Sequence, residues 1–173
     1  MSRPVILAAH DPQWSDLAAQ ESARISDVLR SILVAIHHIG STAVPGIKAK
    51  PVIDLLVVVT DLDALDLQAS ALSEIGYQPR GDFGIPGRRF FTKDTSGLRS
   101  HHLHCFAAGD PHIERHLLFR DYLRAHPESA TQYQEFKEAL AVRFSNDSEA
   151  YAEAKTPFIE QIIMLARSEK TEG

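Results

Sequence analysis

The segment His38-Ile39-Gly40-Ser41-Thr42-Ala43-Val44-Pro45-Gly46-Ile47-Lys48-Ala49-Lys50-Pro51-Val52-Ile53-Asp54-Leu55-Leu56-Val57-Val58-Val59 decides the fold. It reads as a strand end, a Gly-Ser loop, a basic turn and a strongly apolar strand. Side chains alternate along a strand, so Val52, Asp54 and Leu56 share one face and Ile53, Leu55 and Val57 the other. Such an apolar run suits a central strand covered on both faces. Asp54 is then a carboxylate in a place that demands a partner: a cation, a metal or a ligand. A structural carboxylate bonded to backbone amides or an arginine satisfies the same sequence, and both readings stand at this point.

Working outward, residues 1–10 form an extended lead. Asp11-Pro12 opens a helix whose Trp14, Leu17, Ile25, Val28, Leu29 and Ile32 recur at helical spacing through Leu33. Val34 to Ile39 is a strand. Asp61 caps a helix with Leu62, Leu65, Leu72 and Ile75 on its apolar stripe, stopped at Gly76. Tyr77 to Arg80 is a short strand, and the glycine-rich Gly81 to Gly87 a loop. Arg88 to Lys93 and His101 to Ala107 form an antiparallel hairpin across a turn at Asp94 to Gly97. From Pro111 the chain is helical, over 111–125, 128–145 and 147–168, with Pro127 and Asn146-Asp147-Ser148 between the segments. The polar tail Glu169 to Gly173 is expected to fray. A helix, strands and then a helical end give an α+β domain.

The 173 residues suit one domain with a real core. A net charge of −5 argues against broad nucleic-acid binding, which favours a basic surface. Cys105 is the single cysteine, so no intramolecular disulfide or cysteine zinc cluster can form. It has no neighbour marking it as a nucleophile and reads as a small buried hydrophobe. The N-terminus lacks a signal-peptide apolar region, and Pro51 to Val59 is too short to span a bilayer. A reducing, cytoplasmic location fits.

Three features carry candidate chemistry besides Asp54. The Gly40-Ser41-Thr42 turn can bring backbone N–H groups close to an anion, with Lys48 and Lys50 adding positive charge. His102 and His104, two apart on a strand, share a face and can chelate a transition metal or contact phosphate. A solvated hairpin face fits that spacing as well. Arg89, Phe91 and Lys93 share a face of the neighbouring strand. If that is the face of His102 and His104, the hairpin presents a cationic patch with an aromatic platform, suited to a phosphorylated ligand. In the helical end, Tyr133 and Lys137 lie four apart, as do Tyr151 and Lys155, so each pair shares a helix face. Arg120 and Asp121 read as local surface charge or as part of the site. No Walker loop, dinucleotide fingerprint, nucleophile elbow or zinc-protease motif is present.

Four blocks carry a family resemblance: His38 to Ile47, Ala49-Lys50-Pro51-Val52-Ile53-Asp54, His102-Leu103-His104, and Phe119-Arg120-Asp121-Tyr122-Leu123-Arg124. Through them, and through Tyr133, Lys137, Tyr151 and Lys155, the chain resembles the GrpB family over nearly its full length. That family is assigned to the nucleotidyltransferase superfamily with the DNA polymerase beta-like fold. The resemblance implies a single domain over 1–168 followed by a polar tail at 169–173. It implies a mixed or antiparallel sheet with flanking helices and a helical C-terminal part.

The superfamily pattern is a Gly-Ser turn, then an acid–hydrophobe–acid strand and a later third acid, together holding two Mg²⁺ ions. Gly40 and Ser41 match the turn and Asp54 the first acid, but Leu56 stands where the second acid belongs. One carboxylate and two imidazoles suit a single Zn²⁺ or Mn²⁺ better than two Mg²⁺. The resemblance therefore implies a site for a nucleotide or other phosphorylated small molecule. Asp54 and His104 take the catalytic roles, and Asp54, His102 and His104 are the candidate metal ligands. Gly40, Ser41, Thr42, Lys50, Arg89, Lys93 and Arg120 are the candidate ligand-binding residues. The alternative is a non-catalytic accessory module, as GrpB-like domains fused behind dephospho-CoA kinases look to be, with a protein partner or a second copy as its target.

Overall fold

The structure, a computed structural model, describes residues 3–172. Its centre is a five-stranded mixed sheet of β1 (Leu33–Ile39), β2 (Ile53–Val59), β3 (Gln78–Pro79), β4 (Arg88–Thr95) and β5 (Leu98–Ala107), in spatial order β1-β2-β5-β4-β3. β2 and β5 run parallel, and the other neighbouring pairs are antiparallel. The fold is α+β, as the order of elements implied.

Each face of the sheet meets its own helices. On one face Ile53, Leu55, Val57 and Val59 of β2 pack with Leu103, Cys105 and Phe91. Helix α1 (Gln13–Leu29) lays Trp14, Ala18, Ile25 and Leu29 on that face, and α2 (Leu62–Asp66) and α3 (Ala69–Glu74) add Leu65 and Leu72. On the other face Leu56, Val58, Ile39 and Phe106 pack with Ile113 and Leu117 of α4 (Pro111–Ala125). Burying both faces of β2 explains its unbroken apolar run. Asp61 caps α2 as expected, accepting from the Ala64 amide at 2.7 Å.

The helical end makes a second core. α4, α5 (Pro127–Arg143) and α7 (Thr156–Glu172) enclose Leu118, Phe119, Leu123, Ala130, Tyr133, Ile162 and Ile163. Val44 and Ile47 of the Gly-Ser loop are buried in that same core. Their neighbour Ala49 is buried in the sheet core and bridges to Ala8. The loop thus links the two cores, Val44 and Ile47 each contributing about 1.5–3 kcal/mol by leaving water.

Three expectations are corrected. The helix expected over 147–168 is two, α6 (Ser148–Ala154) and α7, because Pro157 cannot continue a helix from the preceding turn but suits the first turn of a new one. The helix after Asp61 is likewise split into α2 and α3 around Leu67 and Gln68. Residues 169–172, expected as a polar tail outside the helices, are helical. α7 runs through them, tied by His126 Nε2 to Glu169 Oε1 at 2.7 Å.

The β4–β5 hairpin turns at Ser96 and Gly97, both with positive φ as a type I′ turn requires. Its register shifts between Lys93 and Asp94, where Asp94 pairs with Arg99 but Lys93 pairs with His101. The extra residue on β5 is Ser100. This bulge reverses which side chains of β4 face His102 and His104.

Candidate functional site

Asp54 stands in register between Ile39 of β1 and His102 of β5, one pair from the end of β2, with its side chain a quarter exposed. Its Oδ1 accepts from His104 Nε2 at 2.9 Å and from His102 Nδ1 at 3.2 Å. Its Oδ2 lies over Gly40, where an added Cβ would stand 2.8 Å away. Burial works to raise the Asp54 carboxyl, but the two imidazole hydrogen bonds outweigh it and hold the group well below the usual carboxylate range. Burial also lowers His102, against the pull of Asp54.

The far ring nitrogens fix the tautomers. Arg88 Nη1 lies 3.3 Å from His104 Nδ1, and Arg99 Nη1 lies 3.4 Å from His102 Nε2. Guanidinium offers only donors. Each far nitrogen is therefore the acceptor, and each near nitrogen carries the hydrogen that points at Asp54. Arg88 is buried, donates also to the Asp82 and Phe83 carbonyls, and stacks 4.6 Å over Phe90. Arg99 is held by Asp94 at 2.7 Å. His116 of α4 completes an aromatic wall beside His104 at 5.4 Å, its ring driven down to a pKa of about 3 by burial and by His104.

This donor set does not fit the superfamily's paired Mg²⁺ ions. Leu56, fully buried, packs with Ile39, Val58 and Phe106 and supplies no oxygen. The ligand atoms of Asp54, His102 and His104 do lie within 4.8 Å of one another, the spread of a single-ion cluster. A ligating histidine, however, turns its bare nitrogen to the metal and donates its other N–H to an acceptor. Here both outer partners are arginine donors, so the rings as held do not fit an ion either.

The Gly40 loop is braced from α4 and α5. Gly40 has φ +74° and ψ −172°, a region essentially restricted to glycine, and Ser41–Ala43 make one 3₁₀ turn. Tyr133 of α5 hydrogen-bonds to Ser41. Arg124 Nε donates to the Ala43 carbonyl at 2.8 Å. Arg120 reaches the loop, but its guanidinium is engaged by the His38 carbonyl and by Asp121, so it braces the loop rather than opening toward a ligand. The buried Thr42 hydroxyl lies 2.8 Å from His38 Nε2.

Lys50 leads from the loop into a cationic corner. Its Nζ lies 5.5 Å from the centre of the Tyr151 ring, and Lys155 Nζ lies 5.0 Å from the same ring. Lys137 Nζ is 4.9 Å from the Tyr133 ring and donates to the Lys48 carbonyl at 2.7 Å.

Arg89 and Lys93 are corrected. The Ser100 bulge puts Arg89, Phe91 and Lys93 on the opposite face of the sheet, and Arg88, Phe90 and Thr92 face the histidines instead. Arg89 pairs with Asp66 at 2.9 Å. Lys93 pairs with the buried Glu21 at 2.8 Å, which also accepts from Tyr77 and Arg24. The residues gathered around the loop and Asp54 are thus Gly40, Ser41, Lys50, His102 and His104. Sequence reasoning missed Arg88, Arg99 and His116, and it left Lys137 and Lys155 outside the site. The signal for the lysines was present in their i,i+4 spacing to Tyr133 and Tyr151. A separate cleft of about 770 Å³ lies between α4 and α7, lined by Pro111, Leu117, Tyr122, His126 and Ala166 among others, with none of the Asp54 cluster in its wall.

Comparison with known proteins agrees with this architecture. The crystal structure of the conserved protein GrpB from Enterococcus faecalis superposes with a TM-score of 0.88 at 34% identity, covering 95% of this chain and 99% of that one. Cid1 in complex with its short product ApU superposes with a TM-score of 0.54 at 15% identity, over 79% of this chain and 43% of Cid1, a likeness of fold alone. The protein YqkA of Bacillus subtilis is 40% identical over 157 residues, and PA4798 of Pseudomonas aeruginosa is 37% identical over 156. The alignments cover 91% and 88% of this chain but only 46% and 64% of those two proteins. Residues 4–164 match the family described as GrpB protein. With most of its length matched in this way, the chain belongs to the GrpB family.

Proposed function

We propose that the protein binds a nucleotide or another phosphorylated small molecule in the corner framed by Gly40, Ser41, Lys50, Asp54, His102 and His104. The single observation carrying this reading is the placement of Asp54 Oδ2 against Gly40, which sets a fixed acid beside a sharply turned Gly-Ser loop. In a nucleotidyltransferase-like fold, such a loop is where a phosphate meets the chain. The leading amides of the 3₁₀ turn and the Lys50 ammonium favour an anion there. His104 holds its Nε2–H toward Asp54 and can offer it as a hydrogen bond to a phosphoryl oxygen, with the Asp54 carboxylate beside it to accept the proton of an attacking hydroxyl.

The test is a thermal-shift screen with ATP, CTP, GTP and sugar phosphates, run with and without divalent metal. A ligand at about a hundred times its Kd stabilises the native state by about 2.7 kcal/mol, so the melting temperature rises. Asp54→Asn and Ser41→Ala abolish the rise while keeping the fold. No shift with any phosphorylated compound overturns the reading.

A second reading is favoured by one observation: the chain is 29% identical, over 90% of its length, to 45% of the dephospho-CoA kinase of Mycobacterium leprae. There the chain acts as an accessory module that binds a protein. Co-sedimentation with the host's dephospho-CoA kinase, undiminished by Asp54→Asn, is its signature.

A further inference from the structure

We propose that Lys50, Lys137 and Lys155 form a metal-independent seat for the consecutive phosphates of a polyphosphorylated ligand. The proposal rests on the phosphate-site reading and extends it in two respects: the ligand carries at least two linked phosphates, and its charge is neutralised by ammonium groups instead of divalent ions.

Three different segments deliver the three lysines. Lys50 ends the Gly-Ser loop, Lys137 lies on α5 and Lys155 follows the last turn of α6. Lys50 and Lys155 flank the single Tyr151 ring, and Lys137 lies by the Tyr133 ring whose residue bonds Ser41. Among the described residues, no carboxylate forms an ion pair with any of the three. Asp54 is near enough to Lys50 and Lys155 for its charge to be felt by both, and Glu138, paired with Lys48, is felt by Lys137, which leaves two carboxylates, neither bonded to them, against three ammonium groups. Lys137 is 1% exposed, and its only hydrogen bond within the described protein goes to the Lys48 carbonyl. A buried ammonium with open donors beside two more cations is costly unless an anion joins them. Burial, then Lys155 and Lys50, lower Lys137 to a pKa of about 7, an effect that the nearby Glu138 offsets only in part.

The lysines supply positive charge that the reduced carboxylate set cannot recruit through paired divalent ions. A triphosphate needs several positive charges close by, and the carboxylates that would hold two Mg²⁺ are reduced to Asp54 by Leu56. His102 and His104 point their N–H hydrogens at the remaining Asp54 carboxylate, in tautomers fixed by Arg99 and Arg88. Tyrosine rings beneath the ammonium groups hold them without cancelling their charge.

The experiment is calorimetric titration of the full chain with inorganic tripolyphosphate, pyrophosphate and orthophosphate in EDTA, with ATP titrated alongside in EDTA and in Mn²⁺. Tripolyphosphate is expected to bind in EDTA at least tenfold more tightly than orthophosphate. Lys50→Gln and Lys155→Gln each weaken it about tenfold or more and reduce its salt dependence, whereas Arg89→Gln, on the opposite face, leaves it unchanged. Lys155 is used in preference to buried Lys137 so that the fold is kept, which circular dichroism checks. The proposal is overturned if tripolyphosphate binds only when metal is added, if orthophosphate binds equally well, or if both lysine variants bind like the parent. In those cases ATP binding that is lost in Asp54→Asn preserves the broader phosphate-site reading. Absence of binding by every phosphate and by ATP removes both.

Discussion

Gly40 and Asp54 are in such close approach that a Cβ at position 40 would meet the Asp54 carboxylate oxygen at 2.8 Å. The backbone conformation of Gly40 lies in a region that side chains avoid at a cost of about 1–3 kcal/mol. Gly40→Ala is therefore expected to lower stability by about 2 kcal/mol or more in urea denaturation. It should also push Asp54 off its two imidazole partners, visible as changed His102 and His104 resonances. An unchanged unfolding midpoint would remove the claim of close approach.

The histidine tautomers are open to direct measurement. Arginine donors at the outer nitrogens leave His104 with its hydrogen on Nε2 and His102 with its hydrogen on Nδ1. Long-range ¹H–¹⁵N correlation at neutral pH should show these opposite patterns. Addition of Zn²⁺ or Mn²⁺ should leave the His102 and His104 signals in place. Their displacement by an equimolar divalent ion would mean that the rings switch tautomer despite Arg88 and Arg99.

Lys93 serves stability on the far face of the sheet. Its ammonium pairs with a Glu21 carboxylate that is 2% exposed. Breaking a buried pair typically costs about 3–5 kcal/mol. Tyr77 and Arg24 still contact Glu21 after Lys93→Met, so a loss of about 2 kcal/mol is expected, with phosphate binding unchanged. A Lys93→Met protein that keeps its stability but loses ligand affinity would return Lys93 to the site.

Acid sensitivity has a defined direction. Burial lowers His38 to a pKa of about 4, and burial lowers His101 and His102 as well. Between about pH 6.5 and pH 4 the unfolded chain takes up a proton at His38 that the folded chain refuses. The unfolded state binds more protons there, so stability is full above pH 6.5 and falls as the pH drops through that window. Denaturation at pH 7.5 and pH 5 should differ, with His38→Gln removing on the order of 1 kcal/mol of the difference after allowance for solvent screening. Equal stability at the two pH values would show that these rings titrate normally when folded.

Much of the fold was legible in local pattern. The apolar run from Ile53 to Val59 identifies a strand buried on both faces, and Asp54 stands out as its one carboxylate. Asp61 before Leu62 and Pro127 between two helical stretches mark helix ends by chemistry that acts within a few residues. The Gly-Ser turn and the paired imidazoles were likewise visible, because spacing along a strand or turn fixes which side chains can share a face.

What sequence determined by itself was therefore the set of elements, the central strand, and the acid, turn and histidines that make the candidate site. What only the tertiary structure decided was partnership. A single bulge at Ser100, invisible to alternation counting, turned Arg89 and Lys93 away and brought Arg88 to His104. Interactions across 87 to 105 residues bring Lys50 and Asp54 into one corner with Lys137, Tyr151 and Lys155. Periodicity reports the face of one element and carries no information on which faces meet. The meeting is settled by register and by packing two cores through a single loop.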